Sequence, residues 1–133
     1  MKGYCENIVE RTTANGDFRR VLYTGRHLQL VLMTLKPGEE IGEEVHDGRD
    51  QFFRFEQGKG EVRIDGATSP VEDDFAVIVP AGARHNVINT GDEPLRFYTL
   101  YGPPEHRDGT VHKDKAQAEA EHDADHWDGD TTE

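Results

Sequence analysis

Apolar residues over the first hundred positions come in short clusters, separated by residues that turn a chain. Phe18 to Tyr23 carries Val21, Leu22 and Tyr23. His27 to Leu35 is a longer apolar run, and Phe52, Phe53 and Phe55 crowd an aromatic one. Glu61-Val62-Arg63-Ile64-Asp65 alternates charged with apolar, and Phe75 to Val79, Asn86 to Asn89 and Leu95 to Tyr101 complete the set. Period-two alternation marks a strand with one buried face. Asn15-Gly16, Pro37-Gly38, Gly58-Lys59-Gly60, Asp65-Gly66, Pro80-Ala81-Gly82 and Gly91-Asp92 punctuate these runs. Many short strands at such spacing predict an all-β antiparallel barrel or sandwich. Phe53 and Phe55 share a face with Gln51 and should line the interior, while Phe52 and Arg54 point outward. No helical period of useful length precedes residue 110. Gly58-Lys59-Gly60 joins strand to strand, so it reads as a hairpin and not as a phosphate-binding loop.

From about residue 105 the chain is almost wholly polar. Lys113 to Glu121 contains strong helix formers with little apolar surface, which predicts a short exposed helix. Beyond His122 the acidic composition predicts disorder. The expected organisation is an N-terminal arm (1–17), a barrel (18–104) and a polar C-terminal extension (105–133). His106, His112, His122 and His126 fall in that extension. His122 and His126, flanked by Asp123, Asp125 and Asp128, could pinch a metal weakly, but a solvated tail is the expectation.

Charge narrows the function classes. The 133 residues suit one hydrophobic core. A formal net charge of −12 repels phosphate backbones and anionic membranes, so nucleic acid and membrane are not expected partners. No run approaches the ~18 apolar residues of a membrane span. The first residues lack a secretion signal's apolar segment, which makes the cytoplasm the expected location. Cys5 is the only cysteine, so neither an intrachain disulfide nor a thiolate zinc site is available.

The chemistry gathers in two stretches. Glu44 and His46 stand two apart in an expected strand and so face the same side. Gln51 follows the tight loop Asp47-Gly48-Arg49-Asp50, and a hairpin there would set it beside His46. Much later, the turn Pro80-Ala81-Gly82 delivers His85 to the start of a strand. Two histidines, a carboxylate and a carboxamide offer nitrogen and oxygen donors without sulfur, a set that suits Mn, Fe, Ni, Co or Zn.

The spacing is Gly38, five residues, Glu44-Val45-His46, four residues, Gln51, six residues, Gly58. It continues as Asp74, five residues, Pro80-Ala81-Gly82, two residues, His85, three residues, Asn89. In this the chain resembles the small single-domain cupins, of the cupin-2 type often likened to mannose-6-phosphate isomerases. Glu44 stands where that family usually has its first histidine, Gln51 where it has glutamate, and Asp74 where it has a turn glycine. The resemblance implies a jelly-roll barrel holding one divalent transition metal through Glu44, His46, Gln51 and His85. Glu44 is either a ligand or a catalytic general base. The lumen would be lined by Met33, Phe53, Phe55, Tyr98 and Tyr101, with Phe53 and Phe55 serving mainly as core. Asn89 would make a structural hydrogen bond, and Arg84 or Arg96 could meet a phosphate. The implied function is a metal-dependent isomerase, lyase or dioxygenase acting on a small polar or carbohydrate-like molecule. The alternatives are a non-catalytic metal or small-ligand sensor and a purely structural dimer. A homodimer is also implied, and the outward Phe52 agrees with it.

Overall fold

Two antiparallel sheets face each other in the computed structural model, which describes all 133 residues. In chain order the strands are β1 (Arg19–Thr24), β2 (Gln29–Leu35), β3 (Glu44–Val45), β4 (Asp50–Gln57), β5 (Gly60–Ile64), β6 (Ala67–Val71), β7 (Ala76–Val79), β8 (Arg84–Asn89), β9 (Leu95–Gly102) and β10 (Val111–His112). One sheet has six strands in the order β10-β1-β2-β9-β4-β7, and the other has four in the order β3-β8-β5-β6. This is the expected all-β, antiparallel jelly-roll architecture.

Alternation decides which residues fill the space between the sheets. On β9, Leu95, Phe97, Thr99 and Tyr101 are buried while Arg96, Tyr98 and Leu100 are half-exposed. On β4, Gln51, Phe53 and Phe55 point inward. The Phe55 and Phe97 ring centroids lie 5.1 Å apart, and those of Phe53 and Phe97 5.8 Å apart. Each such aromatic pair contributes about 0.5–1.5 kcal/mol beyond the burial of its area. Val31, Met33, Leu35, Val62, Val79 and Val87 close the core around them.

Backbone geometry explains two positions of the spacing motif. Asp74 adopts φ +71°, the left-handed conformation that a turn glycine would supply and that aspartate tolerates better than most residues. Gly58 ends the turn after β4 at φ +102°, and a Cβ there would stand 2.6 Å from the Pro94 carbonyl oxygen and 3.0 Å from Leu95 Cα. Both neighbours are backbone and cannot swing away. Gly58→Ala is expected to cost about 1–3 kcal/mol from conformation alone, and more from the contact. Chemical denaturation measures this, and an unchanged midpoint would refute it.

Several elements differ from the sequence reading. A helix, α1 (Ile8–Ala14), occupies the N-terminal arm, where no helical period was expected. It is short and rich in β-branched residues, but the Asn7 side chain caps it by accepting from the Glu10 N–H. It packs against β2, β4 and β9. Leu32, of outward parity on β2, is covered to 1% exposure. β6 was missed because four of its five residues are exposed and one is Pro70, which an edge strand tolerates. No hairpin joins Glu44 to Gln51, because β3 pairs with β8 in one sheet and β4 with β7 and β9 in the other.

The C-terminal extension carries the expected short helix, α2 (Lys115–Ala120), capped by Asp114. It does not trail free beyond that point. The Trp127 N–H donates to the Glu105 carbonyl, the Thr132 N–H to the Thr24 carbonyl, and the Lys2 and Gly3 N–H groups to the Glu133 carboxylate. His106 and His112 are buried at 7% and 1% exposure, which removes both from the solvated tail expected of them.

Candidate metal centre

Strand pairing builds the site. In the four-stranded sheet Glu44 of β3 sits directly opposite His85 of β8. His46 follows one residue beyond β3, and its ring centroid lies 5.2 Å from that of His85. One donor atom each from Glu44, His46 and His85 falls within 4.8 Å of the others. Gln51 enters from the facing sheet, in register with Tyr101, whose ring packs edge-on to His46 at 5.7 Å.

Each side chain is already oriented. His85 Nδ1 lies 3.0 Å from the Ala83 carbonyl, so the N–H donates there and the Nε2 lone pair is left free. His46 Nε2 lies 2.9 Å from Glu44 Oε2, while its Nδ1 faces Glu105 Oε2 at 3.6 Å. Arg49 holds Glu105 in turn at 3.0 Å. Burial alone would lower the His46 pKa, but the hydrogen bond that His46 donates to Glu44 and the charges of Glu44 and Glu105 outweigh it and raise the pKa. Burial would raise the Glu44 pKa, but the same bond and the His46, Arg19 and His106 charges hold it below the usual carboxylate range. Both shifts favour a proton held between the two groups, and a divalent ion would take the place of that proton.

Gln51 supplies the test of fit. Its Nε2 donates to Thr99 Oγ1 at 3.0 Å, yet its Oε1 is buried without any hydrogen-bond partner. A lone buried carbonyl costs about 1–3 kcal/mol, and such orphans ask for an explanation. An oxygen-accepting cation is one. Two neutral imidazoles, one carboxylate and one carboxamide oxygen fit a divalent transition metal.

The remaining sequence candidates divide. Tyr101 and Phe53 border the site, with the Phe53 ring 6.4 Å from that of His85. Phe55 and Met33 lie deeper, fully buried in the core. Tyr98 does not reach the lumen, because β9 alternation turns it outward, where it meets Phe52 at 6.3 Å. Asn89 makes its structural bonds, donating to the Leu35 and Glu93 carbonyls. Arg84 pairs with Glu43 at the surface, and Arg96 bonds Asn15 and Gln57, so neither lines a cavity beside the site.

A buried polar group that the sequence reading missed stands behind Tyr101. Asp125 Oδ2 accepts from His106 Nδ1 at 2.7 Å, and the Tyr101 hydroxyl meets His106 Nε2 at 3.2 Å. Arg19 joins it, 3.2 Å from His112 Nδ1 and 3.9 Å from Asp125. Burial lowers the His106 pKa and pushes the Tyr101 phenol up. Burial works against the Asp125 charge, but His106 and Arg19 overcome it and bring its pKa down to about 2. Nothing in the sequence separates Asp125 from its many acidic neighbours.

Comparison with known proteins agrees with this fold. The Cupin domain family matches residues 31–101. The chain is 48% identical over 128 residues to the uncharacterized protein YrkC of Bacillus subtilis, spanning 92% of this chain and 69% of YrkC. The crystal structure of BH2720 from Bacillus halodurans superposes with a TM-score of 0.88 at 46% identity, over 90% of this chain and 95% of that one. The polyketide synthase protein CurC of Streptomyces cyaneus is 35% identical over 72 residues, 54% of this chain and 47% of CurC. With more than half its length inside the family match, and with two close relatives covering nearly all of it, this chain belongs to the cupin family.

Proposed function

We propose that this cupin binds one divalent transition metal through Glu44, His46, Gln51 and His85 and acts as a metal-dependent enzyme on a small polar molecule. The observation that carries this reading is the convergence of Glu44, His46 and His85 with a buried Gln51 carbonyl that no protein group satisfies. When bound, such an ion acts as a Lewis acid or activates water. Around it, Ala83 fixes the His85 tautomer, Glu105 orients His46, and the Tyr101 hydroxyl is held by His106. Glu44 is the most exposed of the four, which places it toward entering substrate and makes it the candidate base if it is not a ligand. Isomerase, lyase and dioxygenase chemistry share these needs, and the likeness to a polyketide synthase protein supports an enzymatic setting over a sensor. The expected working location is the cytoplasm, and no helix is long and apolar enough to cross a membrane.

Elemental analysis of tag-free protein, as purified and after reconstitution with Mn, Fe, Co, Ni and Zn, tests the reading. About one equivalent of one metal is expected. No stoichiometric metal under any condition would contradict it.

The same reading includes a homodimer. Leu30, Leu100, Phe52 and Ile78 are successive cross-strand neighbours on the outer face of the six-stranded sheet, and Ile78 is 68% exposed. A contiguous apolar row of this kind favours cover by a partner. Ile78→Asp is expected to halve the mass read by light scattering, and a monomeric parent protein would refute the dimer.

A further inference from the structure

A cavity of about 310 Å³ opens beside Glu44, between α2, the start of β1 and β3. Its apolar wall is Phe18, Ile41 and Ala118, and its polar groups are Arg19, Lys115, Glu44, Glu119 and His122. Of the candidate ligands His85, Gln51 and His46 are nearly enclosed, whereas the Glu44 side chain is 30% exposed. The approach to the centre is therefore on this side. The size is at the small end of ligand pockets, and three apolar residues beside convergent charged groups suit a ligand with one apolar and one charged end.

Arg19 is the unusual member. Its side chain is only 8% exposed, its Nη1 bonds His112, and its Nε is buried with no acceptor at all. Its guanidinium stacks 5.3 Å from the Phe18 ring centroid. The carboxylates near it are Asp125, at 3.9 Å, and Glu44 across the cavity. Lys115 at the rim faces Glu119 at 4.0 Å. A divalent ion on Glu44 would consume that carboxylate's charge, and Arg19 and Lys115 would then outweigh Asp125 and Glu119 in combination with the ion. The cavity so loaded favours a monoanion, and a planar guanidinium fits a carboxylate in particular.

We propose that this cavity is the substrate subsite and takes a small monocarboxylate with an apolar body. Its carboxylate meets Arg19 and Lys115, its body lies on Phe18, Ile41 and Ala118, and its other end points at Glu44. This assignment rests on the metal-binding reading above and gives it a substrate class. It also gives the C-terminal extension a role, because α2 supplies one wall.

The test uses the full chain loaded with zinc and ¹⁹F NMR titration of 4-fluorobenzoate against its neutral isostere 4-fluorobenzamide, with zinc content measured for every sample. The acid is expected to bind about tenfold or more tightly than the amide, the difference that a charge-assisted hydrogen bond provides. Arg19→Gln should lower acid affinity about tenfold. Ala118→Leu, which narrows the cavity without touching the charged groups, should do the same, each with zinc content unchanged. Equal binding of acid and amide, an Ala118→Leu variant of full affinity, or stronger binding of inorganic phosphate would overturn the subsite. Acid binding lost in His85→Ala but untouched in Arg19→Gln would place the carboxylate on the ion and also overturn it, leaving the metal reading intact. Arg19-dependent binding of the acid by a protein that holds no zinc would support the subsite and sink the metal reading.

Discussion

Alanine at His85 is expected to weaken divalent-metal binding by about 100-fold or more, beyond the 10–100-fold that losing a supporting group costs. The fold should survive, because the His85 Nδ1–H serves only the Ala83 carbonyl two residues away. Gln51→Leu separates a ligand from a structural residue. It removes the buried Oε1 that has no partner in the protein, so the metal-free protein should hold or gain stability. Metal affinity should nevertheless fall about tenfold, as for loss of a neutral oxygen donor. If Gln51 served only the fold, through Thr99, the pattern would invert: stability would drop and metal affinity would stay. Calorimetric titration and thermal melts on the same preparations read both quantities.

Alanine at Asp125 is expected to lower stability by about 3 kcal/mol, the lower end of the cost of breaking a buried charge pair from one side. It strands Arg19, 8% exposed and bonded otherwise only to His112, and it frees His106 from the orientation that meets Tyr101. The pH dependence follows from the direction of each shift. Asp125 is depressed from 3.8 to about 2, so its contribution is complete above the unfolded value and is lost as pH falls through about 2. His106 is depressed below 6.5 by burial, so its neutral form favours folding above 6.5 and that advantage is lost as pH falls through its folded pKa. Both slopes have the same sign, and stability should decline steadily on acidification from pH 6.5. Asp125→Asn should flatten the acid end of that decline. A wild-type protein of constant stability down to pH 3 would contradict the buried pair.

The barrel was legible because its physics is local. Period-two alternation in Leu95 to Tyr101 and in Glu61 to Asp65 exposes the inward face directly, and turn residues mark the strand ends. The site was legible as a spacing, since Glu44-Val45-His46 and the turn before His85 place three donors that the structure brings together. What failed depended on long-range pairing. The sheet to which β3 belongs is set by β8, some forty residues on, so a hairpin from Glu44 to Gln51 was the natural but wrong local inference. Tyr98 and Tyr101 differ only in parity, which pairing with β4 fixes. Arg19 and Asp125 lie 106 positions apart and look like ordinary surface charges until the extension folds back to bury both. α1 has no apolar stripe, and its place comes from packing against β2, β4 and β9.

Crystallography of the reconstituted protein with anomalous scattering at the metal edge tests the central claim most directly. One strong peak is expected inside the barrel, ~2.0–2.2 Å from the imidazole nitrogens of His46 and His85 and within bonding distance of Gln51 and Glu44 oxygens. A peak confined to His122 and His126, whose rings lie 5.9 Å apart on the extension, or no peak in a fully reconstituted crystal, would contradict the account.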